Sequence, residues 1–220
     1  MQSGEKPDLF VVEALVLEHQ ADRVHRRRRL RAVQRDPHGR SLFCRGVSES
    51  LNGKLLIASP SMSDYFHRTV ILMIEHAEEG AFGLVLNRPS ETTVGEASPE
   101  LADLIGDEHV LHVGGPVQPN AVTAIGEHPD PADATKLIVG AVGMVDLDDP
   151  PELSRVRVFA GYAGWGAGQL DGELEQEAWI VEDAHPDDPF GDGDLWADVL
   201  GRKGGEYALL ARMPPDPSVN

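Results

Sequence analysis

The sequence predicts an α+β domain, and three observations carry that reading. Strand-like segments cluster early, helical segments are few and short, and their order lacks the regular strand-helix alternation of a doubly wound sheet. With 220 residues, 41% hydrophobic and 25% charged, the chain has the composition of a folded globular protein with one main core.

Leu55–Ser59 reads as a strand halted by Pro60. Thr69–Glu75 contains the unbroken apolar run Val70-Ile71-Leu72-Met73-Ile74, the pattern of a strand buried on both faces. Ala77-Glu78-Glu79-Gly80 is a turn, and Ala81–Asn87 returns as the antiparallel partner until Pro89 ends it. A helix then has clear punctuation: Ser98 as N-cap, Pro99 at its first position, Leu101, Leu104 and Ile105 on one face, Gly106 as stop. Val110–Val113, Ala121–Ile125, Leu137–Val139 and Val156–Ala160 are further strands, the last entering the glycine-rich stretch Gly161–Gly168. Leu170 and Leu174 mark a short helix, Ala178–Val181 a strand. Asp192 is read as the cap of a helix burying Leu195, Trp196, Val199 and Leu200 with Gly201 as stop, and Tyr207–Met213 adds a turn or two.

The net charge of −18 is unevenly spread. Residues 1–50 carry ten Lys and Arg against seven Asp and Glu, whereas the other 170 carry nine against thirty. Residues 1–50, with the basic cluster His25–Arg31, therefore read as an appended segment, and 51–220 as the domain. So acidic a body repels phosphate backbones, which disfavours direct DNA binding through its general surface. Residues 23–31 keep open a separate reading, a nucleic-acid arm on an acidic body. One cysteine, Cys44, excludes an intramolecular disulfide and a multi-cysteine metal site. Leu9–Val16 is broken by Glu13 and precedes no small-residue cleavage site, and no run reaches the roughly 20 apolar residues of a membrane span. The expectation is a cytoplasmic protein.

In order and spacing, several blocks together resemble the YqgE/AlgH family. They are Gly53–Asp64 (GKLLIASPSMSD), Phe66, Arg68-Thr69-Val70, Glu75-His76, Gly83–Pro89 (GLVLNRP), Gly114–Val117, Gly161–Gly166 (GYAGWG), Gly168-Gln169-Leu170, Trp179 and the closing Asp216–Asn220. The resemblance implies a single α+β domain whose bent, partly barrel-like mixed sheet is surrounded by short helices. It also implies the family's label of transcriptional regulator, which rests on no established biochemical activity. Many relatives carry Cys where this chain has Ile74, and their Gly-Pro-Gly-Gln-Leu-Glu reads Gly166–Asp171 (GAGQLD) here.

No complete catalytic or metal-binding set is legible. Adjacent residues of a strand point to opposite faces, so Glu75 and His76 do not orient each other as a dyad would. Ser59, Ser61 and Ser63 lack a nucleophile elbow. His109 and His112 lack further ligands at motif spacing, and the Asp-rich runs at 146–149 and 187–194 read as solvated loops. Gly161–Gly168 lacks the Lys-Ser/Thr ending of a phosphate loop, which favours tight backbone packing beneath Tyr162 and Trp165. The leading expectation is thus a non-enzymatic regulatory protein, without cofactor or metal, acting on an unknown protein partner or small ligand. The alternative is an enzyme or sensor for an anionic small molecule or nucleotide, held in a candidate cleft of Arg68, His76, Asn87, Arg88, Tyr162, Trp165 and Gln169. Each of these residues also has an ordinary structural role open to it.

Overall fold

The computed structural model describes residues 50–214. The appended segment, its basic cluster, Cys44 and the closing block Asp216–Asn220 lie outside the described residues.

The apolar runs become the first three strands: β1 (Lys54–Ala58), β2 (Val70–Ala77) and β3 (Gly80–Val85). β2 and β3 form a hairpin turning at Glu78-Glu79, with a register shift between Met73 and Glu75. There follow β4 (Pro89–Thr93), helices α1 (Val94–Ala97) and α2 (Pro99–Ile105), then β5 (Val110–Val113) and β6 (Val117–Glu127). Next come β7 (Lys136–Val139), β8 (Val142–Met144), β9 (Arg155–Gly166), helix α3 (Gln169–Glu175), β10 (Trp179–Asp183), and helices α4 (Leu195–Lys203) and α5 (Tyr207–Leu210).

The strands run in the order β10-β1-β2-β3-β9-β6-β8-β7, and β4 joins through β5. Every described pairing is antiparallel except β5 with β9, which makes the sheet mixed, as expected. The sheet curls until β7 approaches β1 and β2. Lys136 Nζ lies 2.5 Å from Glu75 Oε2, and a Cβ on Gly53 would stand 2.6 Å from the Ile138 carbonyl oxygen. The result is a half-barrel.

Side chains alternate across a strand, so the continuous apolar runs supply two cores at once. Leu55, Ile57, Val70, Leu72, Leu84 and Phe159 share one cluster with Leu195, Trp196, Val199 and Leu200 of α4. Trp196 Nε1 donates to the Ala58 carbonyl at 2.8 Å, which sews this helix to β1. Leu56, Ile71, Met73 and Val85 belong to a second cluster with Leu170 of α3, Trp165 and Trp179. A third, smaller core joins Val94 of α1 and Leu101 of α2 to Ala124, Val145 and Val158. Each such large side chain, fully removed from water, contributes about 1.5–3 kcal/mol before entropy is subtracted.

The two halves of the sheet meet in β9. Its Val158–Ala160 pair with β5, its Ala163–Gly166 with β3, and it changes neighbour between them. Gly161 takes φ +69° at this bend, and Gly115 opposite takes φ +157°. A Cβ on Gly115 would stand 2.1 Å from the Tyr162 carbonyl carbon, and one on Gly161 2.5 Å from the Gly115 oxygen. Only glycine meets both requirements, a left-handed backbone and direct contact between two main chains.

Four boundaries differ from the sequence reading. Pro89 opens β4 instead of only ending β3, since its ring suits the first position of a strand. The glycine-rich stretch continues β9 as far as Gly166 instead of forming a loop. Helix α4 is capped by Asp194, whose side chain accepts from Ala197 N at 3.2 Å, while Asp192 is turned toward Arg157. The same helix runs through Gly201 to Lys203 and closes at Gly204, because an exposed glycine weakens a helix by only about 1 kcal/mol when Val199 and Leu200 hold it to the core. Helix α1, with its Thr93/Glu96 capping box, and strand β8 were not anticipated.

Gly115→Ala is expected to cost about 3 kcal/mol or more, combining left-handed strain with main-chain overlap. Urea unfolding followed by far-ultraviolet circular dichroism measures it; an alanine variant as stable as the parent would show that the crossing is not a constraint.

Candidate functional site

The candidate residues divide into groups set by the β2–β3 hairpin. Arg68, Asn87 and Arg88 stand at its open end. Asn87 is the hinge of that group: its Oδ1 accepts from Val70 N at 2.9 Å and its Nδ2 donates to Arg68 O at 2.8 Å. This holds Arg68 at φ +54°, a left-handed conformation that a non-glycine residue rarely adopts. The Arg68 guanidinium lies 4.1 Å from the centroid of the Trp196 ring, donates to Asp194 Oδ2 at 2.5 Å and to the Met213 carbonyl at 3.0 Å. Arg88 donates to the Tyr65 carbonyl and lies 4.6 Å over the Tyr65 ring. Both arginines thus bond to loop groups, through the planar fork that suits such contacts.

His76, Trp165 and Gln169 gather at the other end, beside the hairpin turn. Glu75 and His76 face apart as strand geometry requires: Glu75 meets Lys136, while His76 Nδ1 lies 3.4 Å from Leu51 N and Nε2 3.8 Å from Asp171. Gln169 Oε1 accepts from Gly166 N at 3.1 Å and its Nε2 donates to Glu173 Oε1 at 2.9 Å. Tyr162 belongs to neither group. It stacks edge-on to Phe82 and packs against the cluster of α4, whereas Trp165 lies in the cluster of α3.

Glu173 went unnoticed in the sequence, yet it organises the second group. One carboxylate oxygen, Oε2, accepts both Trp165 Nε1 at 2.9 Å and Trp179 Nε1 at 2.8 Å. The rings themselves meet edge to face at 6.0 Å, and Phe66 stacks on Trp179 at 5.6 Å. Indole N–H groups need partners when buried, and an ionised carboxylate supplies the stronger bond. Its only local signal is position: Glu173 sits between Leu170 and Leu174, on the face by which a short helix docks.

In the Asp-rich run 187–194, Asp187, Asp192 and Asp194 are exposed as the solvated reading expects, and Asp188 corrects it. Asp188 is 6% exposed and receives Arg202 at 2.7 and 2.8 Å, as well as His185 N at 2.7 Å. Asp187 pairs with Arg155, Asp194 with Arg68, and Gly191 O accepts from both terminal nitrogens of Arg157 at 3.3 Å. Four arginines, one from the turn before β2, two from β9 and one from α4, therefore contact this stretch, and those pairings span up to 126 residues.

His112 is 8% exposed and tilts against Phe159. Burial, then the charge of Arg157, lower its pKa from the ordinary 6.5 despite the Val110 carbonyl and Asp192. Burial likewise lowers that of Arg157. His128 is 1% exposed with neither ring nitrogen hydrogen-bonded, and no group of three or more potential metal ligands gathers among the described residues.

Fold and site define a class: a small α+β half-barrel domain in which the conspicuous polar residues brace loops and indoles. The AlgH-like family profile matches residues 55–208, and the chain belongs to that family. A UPF0301 protein of Streptomyces coelicolor is 42% identical over 192 residues, covering 80% of this chain and 99% of that one. A UPF0301 protein of Thermobifida fusca is 43% identical over 191 residues, covering 78% and 96%. Among solved structures, a Corynebacterium diphtheriae protein matches with TM-score 0.66 at 34% identity, covering 74% of this chain and 92% of that one. The solution structure of the AlgH protein from Pseudomonas aeruginosa matches with TM-score 0.58 at 27% identity, covering 83% and 98%.

Glu173→Ala is expected to destabilise by about 2 kcal/mol, because two indole N–H groups lose their acceptor, and Glu173→Gln by about half that. Chemical unfolding read by tryptophan emission distinguishes them; equal losses would reject the shared-acceptor account. His112 predicts a pH effect whose sign follows from its lowered pKa: above about pH 6.5 both folded and unfolded forms are neutral, and below it the unfolded chain takes up the proton first. Stability should therefore fall as pH drops through and below that value, and His112→Gln should remove part of the fall in a melting series from pH 8 to 5.

Proposed function

We propose that this domain is a non-enzymatic interaction module of a regulatory kind, acting through contact with a protein partner. One observation carries the reading. The side chains best suited to chemistry, Arg68, Asn87, Arg88 and Gln169, hold backbone groups of their own domain, and Trp165 is tied to Glu173. Residues 51–220 add an acidic surface, thirty carboxylates against nine cations, that suits a protein more than a nucleic acid. No helix among the described residues is long and apolar enough to cross a membrane.

The open end of the β2–β3 hairpin is the contact surface in this reading. Tyr65, Leu209 and Met213 are 39%, 67% and 42% exposed, large apolar side chains that the fold leaves to solvent. Arg88 holds Tyr65 from one side and Arg68 holds the Met213 backbone from the other. Aromatic and methionine side chains beside arginine are the composition enriched at the centres of protein interfaces. The separate reading, an anionic ligand across all seven candidate residues, has less support because Arg68 and Arg88 stand at the opposite end of the hairpin from His76 and Gln169.

The test is crosslinking of the full chain in its native cells, comparing the parent with a Tyr65→Ser/Leu209→Ser variant of unchanged melting temperature. A partner captured by the parent and reduced at least tenfold by the variant is expected. Undiminished capture would remove this surface from the account, and sequence-selective retardation of DNA by the purified chain at physiological salt would overturn the protein-contact reading itself.

A further inference from the structure

Arg157 occupies an unusual position in an acidic protein. On β9 it lies two residues before Phe159 and so shares that residue's face of the sheet. His112, register partner of Phe159 on β5, tilts against the Phe159 ring on the same side. The Arg157 side chain is only 10% exposed, and a buried guanidinium needs close, well-aligned acceptors to offset its lost hydration. Its hydrogen bonds are long. Gly191 O is 3.3 Å from each terminal nitrogen, and Asp192 Oδ1 is 3.5 Å away. By comparison, Arg202 reaches Asp188 at 2.7 and 2.8 Å and Arg68 reaches Asp194 at 2.5 Å.

Asp192 is also the wrong kind of partner for a permanent pair. Its side chain is fully exposed, it lies between Gly191 and Gly193, and nothing stands within 4 Å of where a Gly193 Cβ would be. A carboxylate that remains in water while its cation is buried contributes little and costs little to move. Burial disfavours the charged form of both His112 and Arg157, and the Arg157 charge further favours a neutral His112, so the guanidinium is the one cation of the pair.

We infer that Arg157, beside His112, forms an oxyanion subsite for a terminal phosphate group, with Asp192 as the displaceable internal occupant of its mouth. A phosphate-type anion brings the geometry that Gly191 O and Asp192 lack: two oxygens on one centre, spaced for the two terminal nitrogens of one guanidinium. The general acidity of the domain does not forbid this, because exposed carboxylates beyond about 8–10 Å are screened by salt whereas the buried cation is not. The depth of Arg157 selects the class of ligand. In this reading a terminal phosphate monoester presents unsubstituted oxygens to both terminal nitrogens of Arg157, while a diester carries a substituent on each side of the phosphorus. The inference goes beyond the proposed partner surface and involves none of Tyr65, Leu209 or Met213, so either can fail alone.

The experiment is titration calorimetry of the full chain at constant ionic strength, using inorganic phosphate, a simple phosphate monoester and a dialkyl phosphate diester as probes, for the parent and Asp192→Asn. Removing the internal carboxylate should tighten phosphate and monoester binding about tenfold, leave the diester without saturable binding, and preserve the fold through the Gly191 contacts. Arg157→Gln, with Arg157→Lys as the milder variant should the first not fold, should weaken binding at least tenfold. An Asp192→Asn protein that binds phosphate no better than the parent would overturn the proposal, as would binding retained in a folded Arg157 variant. Equal affinity for monoester and diester would place the anion outside this subsite and overturn it as well.

Discussion

The architecture depends on one crossing of main chains. Where β9 leaves β5 and takes up β3, Gly161 bends away and Gly115 passes directly against Tyr162. Gly114 completes the joint, its N–H donating to Ala160 O and its carbonyl accepting from Val85 N, each at 2.9 Å. A side chain on Gly115 would push the two backbones apart and separate the halves of the sheet that β9 unites. The approach of Lys136 to Glu75 follows from that curl, and β9 and its pairing with β5 place Arg157 and His112 on one side.

Charge serves the structure in a correspondingly specific way. The domain's few cations are spent on named anchors: Arg68, Arg155, Arg157 and Arg202 converge on the stretch from Asp187 to Asp194, and this stretch leads into α4. Three of those contacts are short. The fourth, from the most deeply buried guanidinium of the four, is long and ends on a fully exposed carboxylate. That contrast within one segment is what distinguishes a brace from a site with something still to bind.

The candidate residues taken from the sequence illustrate how motif and geometry part company. Asn87, Arg88 and Arg68 belong together because Asn87 bridges the Val70 and Arg68 backbones, and their closeness in the hairpin made that visible. Trp165 and Gln169 also belong together, but through Glu173, a residue without distinction in the chain. Tyr162 and Trp165, three apart in one glycine-rich block, enter different cores, since residues of opposite parity on a strand face opposite ways.

By itself the sequence determined the elements that local physics encodes. Unbroken apolar runs announced β1 and β2, the Ser98-Pro99 start announced α2, and the paucity of helices announced the α+β class. Family blocks in order announced the half-barrel, which periodicity alone could not. Only the tertiary structure decided which carboxylate meets which arginine, because Arg68 and Asp194 are 126 residues apart and both kinds of side chain look equally solvated in a one-dimensional reading. It also decided that Asp194, and not Asp192, caps α4. The reason is physical: helix and strand propensities act over a few residues, whereas the partner of a buried charge is fixed by the curl of the sheet that brings distant segments together.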